Sequence, residues 1–304
     1  MATFVFLRSH QRLIWQINYN FKNYPGMLGI GLVGLLLIIA NIFVTYLGLK
    51  SNSFYEKYKF EVEKVLLYKD YKRIVTGGFL HVSWLHLFFN MLSLFFFSKS
   101  IENELGPLQF LLIYFGGLIG GNLFALYVHR NHPDYSSVGA SGATCGILFA
   151  AVALFPGMSI MLFPLPISVP AWLYGLLFVG ISVYGIRSGK DNIGYEAHLG
   201  GALVGMITAI LLKPSVVPHN YFAILAVAVP TTAFIYIIAK KPHLLMVSNL
   251  FYDTHKNYRS IDHKYNAERF NRQQEVDRIL DKISSRGMKS LTKKERDTLK
   301  EYSK

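Results

Sequence analysis

The sequence has very little cysteine and little charge. Its single cysteine, Cys145, excludes a disulfide within the chain and any metal site built from several cysteines. Charged residues make up 16% of the 304 positions and hydrophobic residues 52%, whereas charged residues make up about 25% of ordinary soluble domains. This composition indicates a protein that lies in lipid.

Acidic residues are also scarce, since 18 Asp and Glu stand against 31 Lys and Arg, a formal net charge of +13. Such a charge is compatible with nucleic-acid binding, but the basic residues lie in the tails and in the loops between apolar runs. There they are expected to meet lipid headgroups and anionic lipid. We therefore expect the lipid bilayer, and no nucleic acid, as a partner.

Long apolar runs are abundant, and each is close to the roughly 20 residues that a membrane-spanning helix needs. They predict an all-α, polytopic transmembrane helical bundle with a six-helix core, residues 28–212, and a seventh helix towards the C-terminus. A basic segment, residues 1–27, precedes a long run without a small-residue cleavage site, so a retained first helix is expected. The seven predicted spans are 28–48, 84–101, 108–128, 141–156, 169–186, 195–212 and 221–239.

Two stretches are too polar to span a membrane. The stretch from Lys50 to Leu80 interleaves Tyr, Phe and Lys, a pattern typical of a loop at the membrane interface. Residues 240–304 are basic and predict a soluble tail. In this tail a helical apolar spacing, a glycine stop and a capping box predict a small helical hairpin. The residues concerned are Val276, Ile279, Leu280, Ile283, Gly287, Thr292 and Glu295.

Polar groups within apolar helices are costly and mark functional positions by default. One of them is Ser141, which lies between Gly139-Ala140 and Gly142-Ala143 at the start of the fourth predicted helix. Neighbours with almost no side chain leave its hydroxyl open to close approach. Membrane helix interfaces are built from the same small residues, so this segment by itself favours simple helix packing.

A second polar group, His198, lies near the start of the sixth predicted helix. Glycines follow both side chains along one helix face: Gly142 and Gly146 after Ser141, and Gly201 and Gly205 after His198. Close approach of these two smooth strips would place the serine oxygen about 3 Å from an imidazole nitrogen. The pattern thus predicts a nucleophile beside its base.

A neutral histidine can take the serine proton during attack on an amide carbonyl and return it to the leaving amine. The nearest carboxylate in sequence, Glu196, precedes His198 by two residues and lies about 200° away around the helix. It should not orient the imidazole. The sequence therefore predicts a dyad of Ser141 and His198, without a third member.

The segment that enters the second predicted helix carries His81, His86 and Asn90. His86 and Asn90 are four residues apart and face one way, so both can donate to a developing oxyanion, together with the backbone N–H of Ser141. His81 and His86 are five apart on different faces and lack a third ligand of suitable spacing, so no metal site is predicted. No cofactor is expected either.

Topology supports this grouping, because His86, Ser141 and His198 all lie near the N-terminal ends of helices that cross in the same direction. By the positive-inside rule, the basic N-terminus places these residues towards the outer face. Seven spans would then place the basic tail outside. The alternative is that the 221–239 segment, with Pro230 at its centre, does not cross fully.

The motifs around Ser141, His86 and His198 resemble those of the rhomboid family of intramembrane proteases. The resemblance implies that Ser141 is the nucleophile and His198 its base. It also implies an oxyanion hole formed by His86 and Asn90, and a structural role for the outer histidine, His81. The three motifs are GASGA at 139–143, H-x4-H-x3-N at 81–90 and AHLGGALVG at 197–205.

The resemblance extends to an E-x2-L-G turn that begins at Glu102 and to Arg73 in the first loop. The chain departs from the family at two positions. Lys72 replaces the tryptophan that usually precedes the loop arginine, and Cys145 stands where an aromatic residue often packs on the catalytic imidazole. The family further implies transmembrane protein substrates admitted past the fifth helix, beneath a cap formed by residues 188–194.

The leading hypothesis is therefore a serine-type endopeptidase of the cell membrane that hydrolyses peptide bonds in or near transmembrane helices. One alternative is a catalytically inactive relative that binds transmembrane helices, although such a binder needs none of the four polar residues. A transporter would require intramembrane acidic residues or repeated halves, and the sequence offers neither convincingly.

Overall fold

The computed structural model describes residues 29–161, 167–188 and 193–240, together with 279, 282–283, 290–292, 295–296 and 299. The chain divides into two units, Met1–Val247 and Ser248–Lys304. The predicted basic segment 1–27 lies outside the described residues.

The described part of the first unit is almost entirely helical, as predicted. Two short antiparallel pairs join β1 (Phe60–Glu61) to β2 (Ser136–Ser137) and β3 (Ser159–Met161) to β4 (Ser168–Pro170). The helices are α1 (Leu32–Lys50), α2 (Asn52–Tyr58), α3 (Val62–Leu66), α4 (Arg73–Thr76), α5 (Trp84–Leu105), α6 (Pro107–Val128), α7 (Ser141–Leu154), α8 (Ala171–Ser188), α9 (Tyr195–Leu212) and α10 (Val217–Lys240).

Among the described residues, six helices are long and apolar enough to cross a membrane: α1, α5, α6, α8, α9 and α10. The fold class predicted from the apolar runs, an all-α polytopic bundle, is thereby confirmed. The predicted seventh helix is α10, which continues through Pro230 and begins at Val217, four residues earlier than the apolar run. Pro230 lacks an N–H and removes one backbone hydrogen bond without ending the helix.

The remaining long element, α7, is shorter than predicted and differs from the others in burial. Its 14 residues extend only about 21 Å, against roughly 30 Å for the hydrocarbon core. Every residue from Gly142 to Leu154 is buried, so the surrounding helices shield this helix from lipid. A short central helix cannot reach both surfaces, and one of its ends must lie below the surface of the bundle.

The stretch from Lys50 to Leu80 is more regular than the predicted loop, because buried Arg73 organises its backbone. The guanidinium Nη1 donates to the carbonyl oxygens of Glu56 and Lys59, both at 2.9 Å, and Nε donates to Asp70 at 3.0 Å. Because the arginine donates hydrogen bonds to these carbonyl groups, the stretch can form the short helices α2 to α4. Sequence periodicity does not reveal such short helices, since tertiary contacts stabilise them.

The second unit is described at few positions. Glu295 Oε2 accepts from the backbone N–H of Thr292 at 2.8 Å, and the Thr292 hydroxyl accepts from the N–H of Glu295 at 3.3 Å. The predicted capping box is thereby confirmed. Ile279 is buried, whereas Val276, Leu280 and Gly287 lie outside the described residues.

Candidate active site

Ser141 is the first residue of α7, and the loop before it is shaped by Gly139. This glycine has a φ of +130°, which a residue with a side chain rarely adopts. Its N–H donates to the carbonyl of Gly77 at 3.0 Å. The chain therefore turns sharply into the bundle, and the serine, which is partly exposed, lies at the inner end of this turn.

A small cavity opens beside Ser141. Its volume is about 20 Å³, enough for about one water molecule. Polar groups line part of it, including the side chains of Asn122 and Ser137. Ser141 itself lines this cavity, so water can reach the residue although the rest of its helix is buried.

The helices that carry Ser141 and His198 are in backbone contact. A Cβ atom built on Gly201 of α9 would overlap the carbonyl oxygen of Gly142 and lie 2.8 Å from its carbonyl carbon. A Cβ built on Gly142 would lie 3.6 Å from the carbonyl oxygen of Ala197. The residue that follows the serine thus contacts the residue that precedes the histidine, in the close approach that the glycine strips predict.

The contact continues along both helices and includes α6. A Cβ on Gly205 would overlap Gly146, and a Cβ on Gly146 would lie 3.0 Å from the Cα of Gly117 in α6. Three helices therefore meet without side chains between them. Glycine is required here because any larger residue would separate the backbones.

His198 lies in the first turn of α9, where its backbone N–H donates to the carbonyl of Gly194 at 3.2 Å. The ring centroids of Phe178 and Tyr195 are 6.0 Å and 5.8 Å from that of the imidazole. Two aromatic rings thus border the histidine from other directions. Cys145, at the position where the family often has an aromatic residue, is buried.

His81 is fully buried and connects α1 to the serine loop. Its Nε2 accepts from the backbone N–H of Ala140 at 3.3 Å, which leaves the proton on Nδ1 to be donated to the Thr45 hydroxyl at 2.9 Å. Thr45 in turn donates to the carbonyl of Phe79 at 3.1 Å. Burial, together with the nearby His86, lowers the pKa of His81 to about 3, so a neutral imidazole holds the residue before Ser141.

His86 lies between His81 and the serine. The two imidazole centroids are 4.9 Å apart at an interplanar angle of 73°. A Cβ built on Gly139 would lie 2.9 Å from Nε2 of His86 and 3.7 Å from Oγ of Ser141. The absent side chain of Gly139 therefore leaves room for the His86 ring beside the serine.

Asn90 joins α5 to α7. Its Nδ2 donates to the carbonyl of His86 at 3.0 Å, and its Oδ1 accepts from the Thr144 hydroxyl at 3.1 Å. An amide nitrogen carries two N–H groups, so one donor remains after the bond to His86. The hydrogen bond from Thr144 thus fixes the orientation of the amide, with Oδ1 bonded to α7 and Nδ2 bonded to the carbonyl of His86.

Glu196, in the first turn of α9, has a partner on another helix. Its carboxylate is buried and lies 3.6 Å from Nε2 of His129 at the end of α6. The His129 ring stacks on Tyr135, with centroids 3.6 Å apart and planes at 7°. The spacing of Glu196 and His198 indicates a dyad, but it gives no sign of this second cluster.

The remaining predicted residues lie away from Ser141. Arg73 holds the first loop, and Lys72, at the position of the family tryptophan, pairs with Asp70 at 3.4 Å. Glu102 lies near the other end of α5, where its carboxylate accepts from the N–H groups of Val33 and Gly34 at 3.2 Å and 2.8 Å. Glu102 thus caps the start of α1.

Sequence reasoning missed several residues that surround the site. Thr144 follows Ser141 by three positions, and this shared helix face is a signal that could have identified it. No sequence signal identifies the partners of His81 and Glu196, because they come from distant helices. The missed residues are Thr45, Thr144, His129 and Tyr135.

The cap that the family resemblance implies is only partly described. Residues 189–192 of the 188–194 cap lie outside them, whereas α8, the fifth core helix, is described. In the part of the chain that the structure describes, no three His, Cys, Asp or Glu side chains are placed to hold a metal ion.

The class of the protein follows from this arrangement: a multi-pass helical membrane protein in which Ser141, His86 and the α9 turn that bears His198 meet at one end of the bundle. Residues 68–215 match the Rhomboid domain family. Residues 68–215 therefore form a domain of the rhomboid family, whose members have intramembrane protease or rhomboid-like functions. Residues 259–304 match a family of unknown function, DUF6576.

Three relatives illustrate the range of the family. Rhomboid protein 1, mitochondrial, of Saccharomyces cerevisiae is 32% identical over 194 residues, which cover 62% of this chain and 54% of the relative. The putative rhomboid protease YdcA of Bacillus subtilis is 44% identical over 75 residues, 25% and 37% of the two chains. Inactive RHOMBOID-like protein 8 of Arabidopsis thaliana is 41% identical over 81 residues, 27% and 23%. The chain spans about half the length of the first curated relatives it matches.

Proposed function

We propose that the chain is an intramembrane serine protease that cleaves peptide bonds in or near transmembrane helices with a dyad of Ser141 and His198. The observation that carries this proposal is the backbone contact between Gly142 and Gly201. It brings the helix starts that bear the two side chains together, with no side chain between the two backbones.

In the first step His198 takes the proton of the Ser141 hydroxyl as Oγ forms a bond to the carbonyl carbon of the scissile amide. The carbonyl oxygen becomes an oxyanion. As the C–N bond breaks, His198 returns the proton to the leaving nitrogen, and an ester on Ser141 remains. A water molecule then attacks the ester carbon and gives a proton to His198. As the bond to Ser141 Oγ breaks, His198 returns this proton to Oγ and the new carboxylic acid leaves.

The oxyanion needs donors that are already in place. We assign this role to the His86 ring, which borders the same Gly139 position as Ser141 Oγ, and to the remaining N–H of Asn90, whose amide is linked to α7 through Thr144. The first N–H groups of a helix have no partners within it and carry a partial positive charge, so the backbone N–H of Ser141 completes the set. Thr144 and Gly139 support this role by orienting Asn90 and leaving space for His86.

The cavity beside Ser141 supports hydrolysis within a membrane, since the reaction consumes water. Because α7 is short and buried, the peptide bond must reach a nucleophile that lies below the surface of the bundle. A substrate helix that unwinds near the surface meets this requirement, so we propose transmembrane proteins as the substrate class.

We propose the cell membrane as the location. Several relatives carry mitochondrial or chloroplastic in their names, whereas the relative from Bacillus subtilis comes from an organism without these organelles. Fractionation of the native cell tests this location directly.

A second candidate function is a rhomboid-like protein that binds transmembrane helices without cleaving them. The relative named as inactive favours it. The combination of Ser141, His198, His86 and Asn90 argues against it, because helix binding needs none of these groups.

The experiment is cleavage of a generic single-span substrate by the purified protein in liposomes. Ser141→Ala and His198→Ala are compared with Ser93→Ala and His219→Ala, which remove the same residue types at positions where they bond to carbonyl groups one turn away. We expect the first pair to lose at least about a thousandfold in rate and the second pair to retain it. Retained cleavage in either dyad variant would overturn the proposal, and helix binding without cleavage by the wild type would favour the second candidate.

A further inference from the structure

A second polar cluster, formed by Glu196, His129 and Tyr135, has no part in the chemistry described above. Glu196 is 4% exposed, and its carboxylate is 3.6 Å from Nε2 of His129. The His129 ring lies flat on the ring of Tyr135, with centroids 3.6 Å apart. The cluster joins the first turn of α9, the end of α6 and the loop that leads to Ser141.

The two side chains lie at opposite kinds of helix end. Glu196 lies in the first turn of α9, where the positive end of the helix dipole favours an anion. His129 follows the last residue of α6 and meets Glu196 from that helix end. A buried carboxylate is costly unless it is paired, so the pair holds the end of α6 against the start of α9.

Tyr135 extends this connection to the serine loop. Its carbonyl accepts from the N–H of Val62 at 3.0 Å, and its ring meets that of fully buried Phe60 edge to face, with centroids 6.5 Å apart. A Cβ built on Gly194 would lie 3.2 Å from the Tyr135 hydroxyl. Burial raises the pKa of this hydroxyl, and the charge of Glu196 raises the pKa further.

The loop is therefore fixed on both sides just before it reaches the nucleophile. Ser136 and Ser137, which follow Tyr135, pair as β2 with β1, and Ser141 follows four residues later. On the other side, Glu196 precedes His198 by two residues. One cluster thus touches both segments that carry the dyad, while neither dyad side chain belongs to it.

We propose that Glu196 is a positioning residue for the dyad, an inference that rests on the protease function proposed above. Through His129 and Tyr135 it sets the distance between the serine loop and the start of α9, and so between Ser141 Oγ and the His198 ring. It acts through the backbone, since its side chain leaves the helix about 200° from that of His198.

The test uses a fluorophosphonate, which bonds covalently to an activated serine oxygen, and the single-span substrate. The amplitude of labelling counts the folded sites, and the rate of labelling reports how well the serine and histidine are aligned. A merely structural role would lower the amplitude and leave the rate per site unchanged. The two readouts separate folding from positioning.

Glu196→Gln keeps the shape and removes the charge, while Glu196→Asp keeps the charge. Glu104→Gln is the matched control, because Glu104 pairs with Lys213 at the opposite end of α9. We expect Glu196→Gln to lower the labelling rate and kcat by about 10- to 100-fold, the effect of a small misplacement, with KM within about twofold. Glu196→Asp should recover most of the rate, and Glu104→Gln should match the wild type.

His129→Gln removes the partner from the other side and serves as the second variant should Glu196→Gln fail to fold. We expect it to lower the labelling rate as well. Together with Glu196→Gln it should cost little more than either change alone, since the two act as a unit.

A wild-type labelling rate in Glu196→Gln or His129→Gln, or an equal loss in Glu104→Gln, would overturn the positioning role and leave the protease function intact. A loss confined to the amplitude would do the same. Absence of both labelling and cleavage in the wild type would instead overturn the protease function, and the positioning role with it.

Discussion

Gly201 of α9 lies so close to the carbonyl of Gly142 in α7 that a Cβ atom has no space between them. This one contact joins the helix that begins with Ser141 to the helix that carries His198. The architecture of the site therefore depends on the absence of a side chain as much as on the presence of the two reactive ones.

The first prediction concerns this contact. Gly201→Ala should force the two backbones apart, lower the free energy of unfolding by about 1–3 kcal/mol and reduce cleavage by tenfold or more, because the dyad separates. Gly180→Ala is the control, since a Cβ at this position of α8 meets nothing within 4 Å. Equal behaviour of the two variants in thermal unfolding and cleavage assays would contradict the account.

The second prediction concerns the pH dependence of stability through His81. The folded state keeps this imidazole neutral down to a pKa of about 3, while the unfolded chain binds the proton near pH 6.5. The unfolded state therefore holds more protons as the pH falls. The stabilising contribution of the neutral His81 is fully present above about pH 6.5 and is lost progressively towards pH 3, by on the order of 5 kcal/mol in all.

The measurement is the unfolding free energy of the wild type and of His81→Gln in detergent between pH 7.5 and 4. The difference between the two proteins isolates His81 from the other titrating groups. We expect the wild type to lose stability more steeply in acid than the variant. Parallel curves would show that the imidazole is not held neutral.

The third prediction concerns Thr144. Thr144→Val keeps the shape but removes the hydroxyl that donates to Asn90 Oδ1, so the amide should turn freely and align poorly with the oxyanion. We expect kcat to fall about 10- to 100-fold while KM stays near the wild-type value. Thr231→Val in α10 removes a hydroxyl that bonds only to its own helix, and it should keep the wild-type kcat.

The fourth prediction concerns the end of the bundle opposite the site. Glu102→Gln replaces the carboxylate that accepts two backbone N–H groups at the start of α1, and should lower stability by about 1 kcal/mol. Because this cap lies far from Ser141, kcat should remain unchanged. A large loss of kcat in fully folded Glu102→Gln would show a role beyond capping.

The sequence predicts the packing of the site better than its hydrogen bonds. The glycines after Ser141 and His198 indicate a close helix contact because their spacing fixes a helix face, whatever the rest of the chain does. The fold class and the family were predicted correctly for the same reason, from apolar runs and motifs that are local in the chain. The catalytic roles themselves stay predictions.

The partners of the polar side chains could not be predicted, since they depend on how distant helices are rotated. Thr45 reaches His81 across 36 positions, and His129 reaches Glu196 across 67 positions. Likewise, Cys145 suggests a missing support for His198, yet Phe178 of α8 borders the same ring. An aromatic neighbour of the imidazole can therefore come from a different helix, which the sequence around Cys145 does not reveal.

The most direct test of the central claim is to locate the fluorophosphonate adduct by peptide mass spectrometry. The account predicts a single modified residue, Ser141, and no modification in His198→Ala under the same conditions, because the oxygen is activated by that imidazole. An adduct on a different serine in an active preparation, or equal modification of Ser141 without His198, would contradict the dyad.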